Sequence, residues 1–169
     1  QVIHQAAPIG HNEAFFCQGL IVTGDAGVGL ALGIVAVDGG IAQQDEFPFH
    51  HIHAVGSYGW DWMPECVKQN GVDLSKAPSI DMREYIYNMP TVMAAADVII
   101  SRAGASSCSE IAASGTPCVL IPSPNVTDNH QEKNARALEA QGGAVVLLEK
   151  ECTAQRLFAE ISALLQDET

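Results

Sequence analysis

The chain has 169 residues, 47% of them hydrophobic and 17% charged, which is room for one domain with a sizeable core and too apolar for a disordered polymer. Its formal net charge of −12 argues against a nucleic-acid binder and against a polybasic membrane patch, and it requires that any anionic ligand be held by local donors. No apolar run reaches the roughly 20 residues of a membrane span, and the start shows no basic stretch or cleavage site of a secretory signal, so a cytoplasmic location is expected.

Residues 1–48 are atypical. No Lys or Arg occurs before Lys68, and Gly24, Gly27, Gly29, Gly33 and Gly39 interrupt any helical or strand period. Leu20–Thr23 reads as a strand, with the Gly24–Gly29 loop after it. Its G-x-x-G-x-G spacing matches neither a Walker A loop nor a dinucleotide fingerprint. The glycine load predicts that residues 1–48 pack less firmly than residues 49–165. Phe49–Val55 reads as a strand that places His51 and His53 on one face. That spacing suits a metal, but no Cys, Asp or Glu lies close enough in sequence to complete a site, so packing is the expected role. Gly56–Gly59 reads as a turn. Trp60–Gln69 carries Trp62, Met63, Cys66 and Val67 at helical spacing, and Asn70-Gly71 ends it. Ser79–Met82 is a short strand candidate leading to Tyr85, Ile86 and Tyr87. Pro90 suits the first turn of a helix that ends near Asp97.

The chain is organised around Asp97–Asn134. Val98–Ile100 is a short β-branched run, right for a buried strand. Ala103-Gly104-Ala105 is small enough for a ligand to approach the backbone. Ser107 stands three residues before Glu110, the spacing of a capping box at a helix start. Gly115 is placed to end that helix and Pro117 to prevent its continuing. Val119–Ile121 is a second buried strand, and Pro122-Ser123-Pro124-Asn125 forces a loop shaped by Asn125 and Asp128. A polar helix over Asn129–Gln141 closes at Gly142-Gly143, Ala144–Leu148 is a strand, and Thr153 opens a last helix with Leu157, Ile161, Leu164 and Leu165 on one face. Strands alternating with helices predict a Rossmann-like α/β domain, a parallel sheet with helices on both faces and ligands at the carboxyl ends of its strands.

The five cysteines, Cys17, Cys66, Cys108, Cys118 and Cys152, form no C-x-x-C pair and no even framework, so they read as free thiols. Cys108, near a helix start, has two readings: a thiol of lowered pKa, or a small core residue, which is the commoner case.

The run SRAGASSCSEIAASGTPCVLIPSPNVTDNHQEKNARAL, Ser101–Leu138, resembles the C-terminal half of the MurG family in the form seen in Gram-positive bacteria. That family transfers N-acetylglucosamine from UDP-GlcNAc to lipid I, giving lipid II. The resemblance is clear over residues 49–165 and implies one half of a two-Rossmann-domain (GT-B) enzyme: the donor-binding domain, without the N-terminal acceptor domain. It implies no metal and no cofactor. The family's candidate general base lies in the other half, so no catalytic residue is assigned to this chain. By position, Tyr85 and Ile86 match the uracil site and Arg102 a basic residue near the nucleotide. Gly104, Ala105, Ser106 and Ser107 match the diphosphate cradle, and Glu110 the carboxylate that holds the ribose hydroxyls. His130, Gln131 and Asn134 match the side chains that meet the sugar. The family's Gly-Gly-Ser loop is not matched in residues 24–48.

Each match has a plainer alternative. Glu110 can be a cap, Tyr85 and Ile86 ordinary packing, Arg102 a surface ion pair, and the polar helix face simply solvated. For the chain as a whole the expected ligand is UDP or UDP-GlcNAc, with a missing acceptor-binding domain or chain as partner and the cytoplasmic face of a membrane as location. The alternatives are a stand-alone nucleotide-sugar-binding module, a subunit that needs a separate acceptor-binding chain, and an orphan fragment without intact function.

Overall fold

The computed structural model describes residues 20–23, 50–69, 73–77 and 80–166. The Gly24–Gly29 loop and the expected looser packing of residues 1–48 therefore fall largely outside the described residues.

Among the described residues six strands form one sheet: β1 (Leu20–Thr23), β2 (His50–Ala54), β3 (Ile80–Arg83), β4 (Val98–Ser101), β5 (Cys118–Leu120) and β6 (Ala144–Val146), in the order β3-β2-β1-β4-β5-β6. β2 pairs parallel with β3, β4 with β5, and β5 with β6, whereas β1 runs antiparallel to both β2 and β4. The five strands β2 to β6 thus point the same way, and β1 alone departs from the parallel arrangement expected. From β2 onward each parallel partner is reached by a crossover that contains helix and is long enough to return the chain.

The helices are α1 (Gly56–Trp60), α2 (Met63–Gln69), α3 (Met89–Ala94), α4 (Ala105–Ser114), α5 (His130–Glu139) and α6 (Ala154–Gln166). Gly56–Gly59 is therefore helical and not a simple turn, and the helix expected over Trp60–Gln69 is split in two by a turn at Asp61-Trp62. Gly56 has φ of 69°, a backbone that β-branched or bulky residues rarely adopt.

Side-chain alternation along the strands builds a core on each face. Ile99, Cys118 and Leu120 pack with Val92 and Met93 of α3, Cys108 and Ile111 of α4 and Ala135 of α5. Ile100, Val119 and Ile121 point the other way, against Leu157 and Ile161 of α6. Leu157 and Ile161 are fully buried, each worth roughly 1.5–3 kcal/mol in apolar transfer. A smaller cluster joins Val55 to Met63 and Val67 of α2. Ile52 and Ala54 belong to the α3–α5 face, so Val55 and α2 lie on the α6 face by the period of two. Helices thus cover both faces. Among the described residues, no helix is long and apolar enough to cross a membrane.

His51 and His53 share a face of β2, as expected, and both are buried, with their rings stacked at a centroid distance of 5.3 Å. Burial lowers the His53 pKa from 6.5 to about 4, so its imidazole is neutral at pH 7. No group of three or more His, Cys, Asp or Glu able to hold a metal occurs among the described residues.

Candidate functional site

The turn after β4 positions the candidate site. Ser101 ends the strand, Arg102-Ala103-Gly104 turn the chain, and α4 begins at Ala105. The N-cap is Gly104, with extended backbone (φ −63°, ψ 151°) and no side-chain cap; the first helical bond runs from the N–H of Cys108 to the carbonyl of Gly104, at 2.9 Å. The helix therefore starts earlier than a capping box at Ser107 requires. Ser107 occupies the third helical position and Glu110 the helix interior, so the box expected from their spacing does not form. The reason is local: a glycine N-cap needs no side-chain oxygen, and Ala105 already favours the helix.

This start leaves the N–H groups of Ala105, Ser106 and Ser107 without intrahelical acceptors, aimed past the carboxyl ends of the strands. The positive end of the helix dipole lies at the same place. Ser106 is exposed, Ser107 half-buried, and Glu110 exposed one turn further along. A Cβ built on Gly104 would meet only Ser107 Oγ, at 3.8 Å, an ordinary contact. The fold itself therefore does not demand glycine there; what glycine provides is room for an incoming group.

Cys108 is buried on the inner face of α4, and burial raises its pKa, so the core reading holds and the lowered-pKa reading does not. Cys118 and Cys152 are pushed up to about 12, chiefly by burial. All three are free thiols.

The loop after β5 leads into α5 along the same edge. Asp128 and Asn129 have φ of 53° and 51°, in the left-handed region. Asp and Asn tolerate that region better than other non-glycine residues, so Asp128 does shape this loop. His130 Nδ1 lies 2.9 Å from the carbonyl of Thr127; because a carbonyl only accepts, Nδ1 carries the proton and donates. Gln131 Oε1 accepts the N–H of Ser123 at 2.9 Å. Asn134 Nδ2 donates to the carbonyl of Ala103 at 3.1 Å. Two of the three candidate sugar-binding side chains on α5 thus already hold the neighbouring loops, with one end of each amide committed.

Arg102 is also committed. Its guanidinium pairs with the carboxylate of Glu149 and donates to the carbonyl of Ile121 at 3.3 Å. At 20% and 27% side-chain exposure, this is a half-buried ion pair and not a loose surface one.

On the other half of the edge, the N–H of Val55 donates to the carbonyl of Arg83 and that of Gly56 to the carbonyl of Glu84, extending the β2–β3 ladder. Beyond it the chain bends at Glu84 and turns at Tyr87-Asn88 into α3. Ile86 turns inward and is buried, whereas Tyr85 and Tyr87 turn outward, 53% and 95% exposed, with rings 6.3 Å apart and tilted by 42°. Ile86 therefore packs in the core, leaving the Tyr85 ring and the local backbone for a ligand. Tyr87 and Glu149 stand at this edge as well, beyond the residues expected from the sequence. The Tyr-x-Tyr spacing after a strand was the available signal for the first; nothing local marked the second.

Tyr85, Ile86, Arg102 and Gly104, with the first turns of α4 (Ala105, Ser106, Ser107, Glu110) and of α5 (His130, Gln131, Asn134), all follow the carboxyl ends of β3, β4 and β5, where open α/β sheets bind ligands. A cleft of about 340 Å³ opens at the opposite end of the sheet, between the starts of β5 and β6 and the end of α4. Its lining, including Ile111, Thr116, Cys118, Leu138 and Val145, contains no charged side chain and lies at the C-terminal ends of α4 and α5, the negative ends of the helix dipoles, which do not suit a diphosphate.

The model of the glycosyltransferase family 28 C-terminal domain matches residues 34–169. The UDP-N-acetylglucosamine–N-acetylmuramyl-(pentapeptide) pyrophosphoryl-undecaprenol N-acetylglucosamine transferase of Acetivibrio thermocellus is 44% identical over 124 residues, covering 73% of this chain and 32% of that protein. Transferase 1 of the same name from Bacillus cereus is 43% identical over 116 residues, covering 69% and 31%. The crystal structure of Acinetobacter baumannii MurG superposes with a TM-score of 0.60 at 27% identity, over 82% of this chain and 40% of that one. A glycotransferase of kitacinnamycin shares the fold, with a TM-score of 0.57 at 22% identity over 77% and 30%. The chain spans about a third of the length of the curated relatives it matches. It belongs to the glycosyltransferase family 28 C-terminal domain family, with the α/β architecture of its GT-B neighbours.

Proposed function

We propose that this chain is the UDP-GlcNAc-binding part of a peptidoglycan glycosyltransferase, one that passes N-acetylglucosamine to a polyprenyl-pyrophosphoryl acceptor at the cytoplasmic face of the membrane. The observation that carries this reading is the β4–turn–α4 unit. It presents three backbone N–H groups and two serine hydroxyls behind a glycine that the fold does not require, in a chain whose match to the family runs from residue 34 to residue 169.

In this reading the amides of Ala105, Ser106 and Ser107 take the diphosphate. They offset the −12 charge locally, which a protein of this composition cannot do with a broad field. Glu110, one turn along, accepts from both ribose hydroxyls. Tyr85 and the Ile86 backbone hold the uracil. His130 Nε2, the Gln131 amide nitrogen and the Asn134 carbonyl are the ends left to the sugar hydroxyls. The acceptor site and the base that deprotonates the acceptor belong to a second domain or chain. Catalysis needs both reactants held together, so purified chain alone forms no lipid II from UDP-GlcNAc and lipid I. Turnover by the chain alone would refute this division.

The binding test uses Glu110→Gln. The substitution keeps side-chain size but removes the charge that strengthens two hydrogen bonds, so UDP binding falls by about 1–3 kcal/mol. Titration with UDP against 2′,3′-dideoxy-UDP reads it: the parent discriminates, the variant does not. If both proteins bind both ligands equally, Glu110 has no part in ribose recognition and the site is misplaced.

A further inference from the structure

Arg102 stands where a basic residue is expected to face the nucleotide, yet the structure turns it sideways. Its guanidinium holds the Glu149 carboxylate and the Ile121 carbonyl. Ile121 follows β5 and Glu149 follows β6, so one side chain straps the carboxyl ends of three neighbouring strands. Asn134 straps the next residue from the opposite side, through the carbonyl of Ala103. Gly104 follows directly after the two strapped residues, and its extended backbone sets the direction in which α4 starts.

We propose that Glu149 and Arg102 form a positioning pair: Glu149 keeps Arg102 off the ligand and, through it, fixes the 102–104 turn so that the α4 amides meet a diphosphate. The proposal rests on the nucleotide-sugar reading above and adds to it a role for Glu149. The paired charges cancel at close range, so the anion is met by amide dipoles and hydroxyls and not by the guanidinium. This arrangement suits a ligand that must leave after reaction, because aligned amides hold a diphosphate without a permanent opposing charge.

Charge removal at Glu149 gives opposite signs for the two possible roles of Arg102. If Arg102 gripped the diphosphate, Glu149 would compete with that anion, and Glu149→Gln would tighten UDP binding. If the pair positions the turn, Glu149→Gln loosens it. The test is an NMR titration of the full chain and of Glu149→Gln with UDP and with uridine. The expected result is about a tenfold weaker Kd for UDP in the variant, with uridine unchanged, since only the diphosphate meets the turn. Equal or tighter UDP binding by the variant overturns the proposal. So does an equal loss for both ligands, which would mean general loosening.

The parent protein supplies a second measurement that does not depend on the variant folding. On adding UDP, the Gly104 and Ala105 amide resonances shift while the Arg102 guanidinium resonance stays in place. A guanidinium shift as large as theirs overturns the positioning role while leaving the nucleotide reading intact. A parent that binds neither ligand overturns both.

Discussion

The two halves of the carboxyl edge are built differently. Beyond β4, β5 and β6, polar side chains hold the backbone: Arg102 to Glu149 and Ile121, Gln131 to Ser123, Asn134 to Ala103. Beyond β2 and β3, the ladder itself continues through Val55–Arg83 and Gly56–Glu84, and of the side chains that follow Tyr85 and Tyr87 point to solvent while Ile86 turns inward. The cores beneath differ in the opposite sense. The α6 cluster is aliphatic apart from one thiol, and the α3–α5 cluster is apolar throughout, whereas β2 buries two imidazoles. On the proposed function, the cross-braced half is the one that presents amides to a charged group. A half that offers aromatic surface needs only a continuous backbone, because stacking tolerates small displacements that hydrogen bonds do not.

The comparison breaks first at its most heavily packed point. Leu157 is fully buried between α6 and the strands, so Leu157→Ala costs about 3–4 kcal/mol, the transfer loss plus the cavity left behind. Urea denaturation monitored by circular dichroism measures it, and a loss below about 1 kcal/mol would mean that α6 is not part of the cooperative core.

The β2 half should fail with acid. The folded-state pKa of His53 is lowered to about 4 by burial, against 6.5 unfolded, so the unfolded chain binds a proton that the folded chain refuses. This contribution is complete above pH 6.5, is lost as pH falls from 6.5 toward 4, and changes no further below that. The full span amounts to about 3 kcal/mol. Stability curves against pH for the parent and His53→Leu check it: the slope between the two pKa values should be shallower in the variant.

The smallest effect on stability sharpens the contrast most. At Gly104 the backbone φ is negative and a Cβ meets only Ser107 Oγ at 3.8 Å, so Gly104→Ala alters stability by less than about 1 kcal/mol. The same methyl stands in the path of the diphosphate, and UDP binding should weaken by about tenfold. Loss of stability without loss of binding would place the role of this glycine in folding.

Particular residues show how far the sequence carries. Gly115 ends α4 with φ of 70°, as its place before Thr116-Pro117 predicts. Thr153 caps α6, its Oγ1 accepting the N–H of Arg156 at 3.2 Å. These are local rules with local answers. Ser107 and Glu110 fail as a capping box because two motifs competed for the same helix start and the glycine cap won. Trp60–Gln69 reads as one helix because its apolar spacing continues through a turn that periodicity cannot see.

The sequence by itself determined the alternation of short apolar strands with amphipathic helices, the stop of α4 at Gly115 and the cap of α6 at Thr153, and the run of small residues from Ala103 to Ser107 that leaves amides open. Each follows from neighbours within a turn or two, where steric and hydrogen-bonding rules act directly. Only the tertiary structure decided the antiparallel direction of β1, the burial of His51 and His53 together, and the commitment of Arg102 to Glu149. Those depend on which strands lie side by side. An ion pair between residues far apart in sequence forms only when a sheet brings their two loops to the same edge.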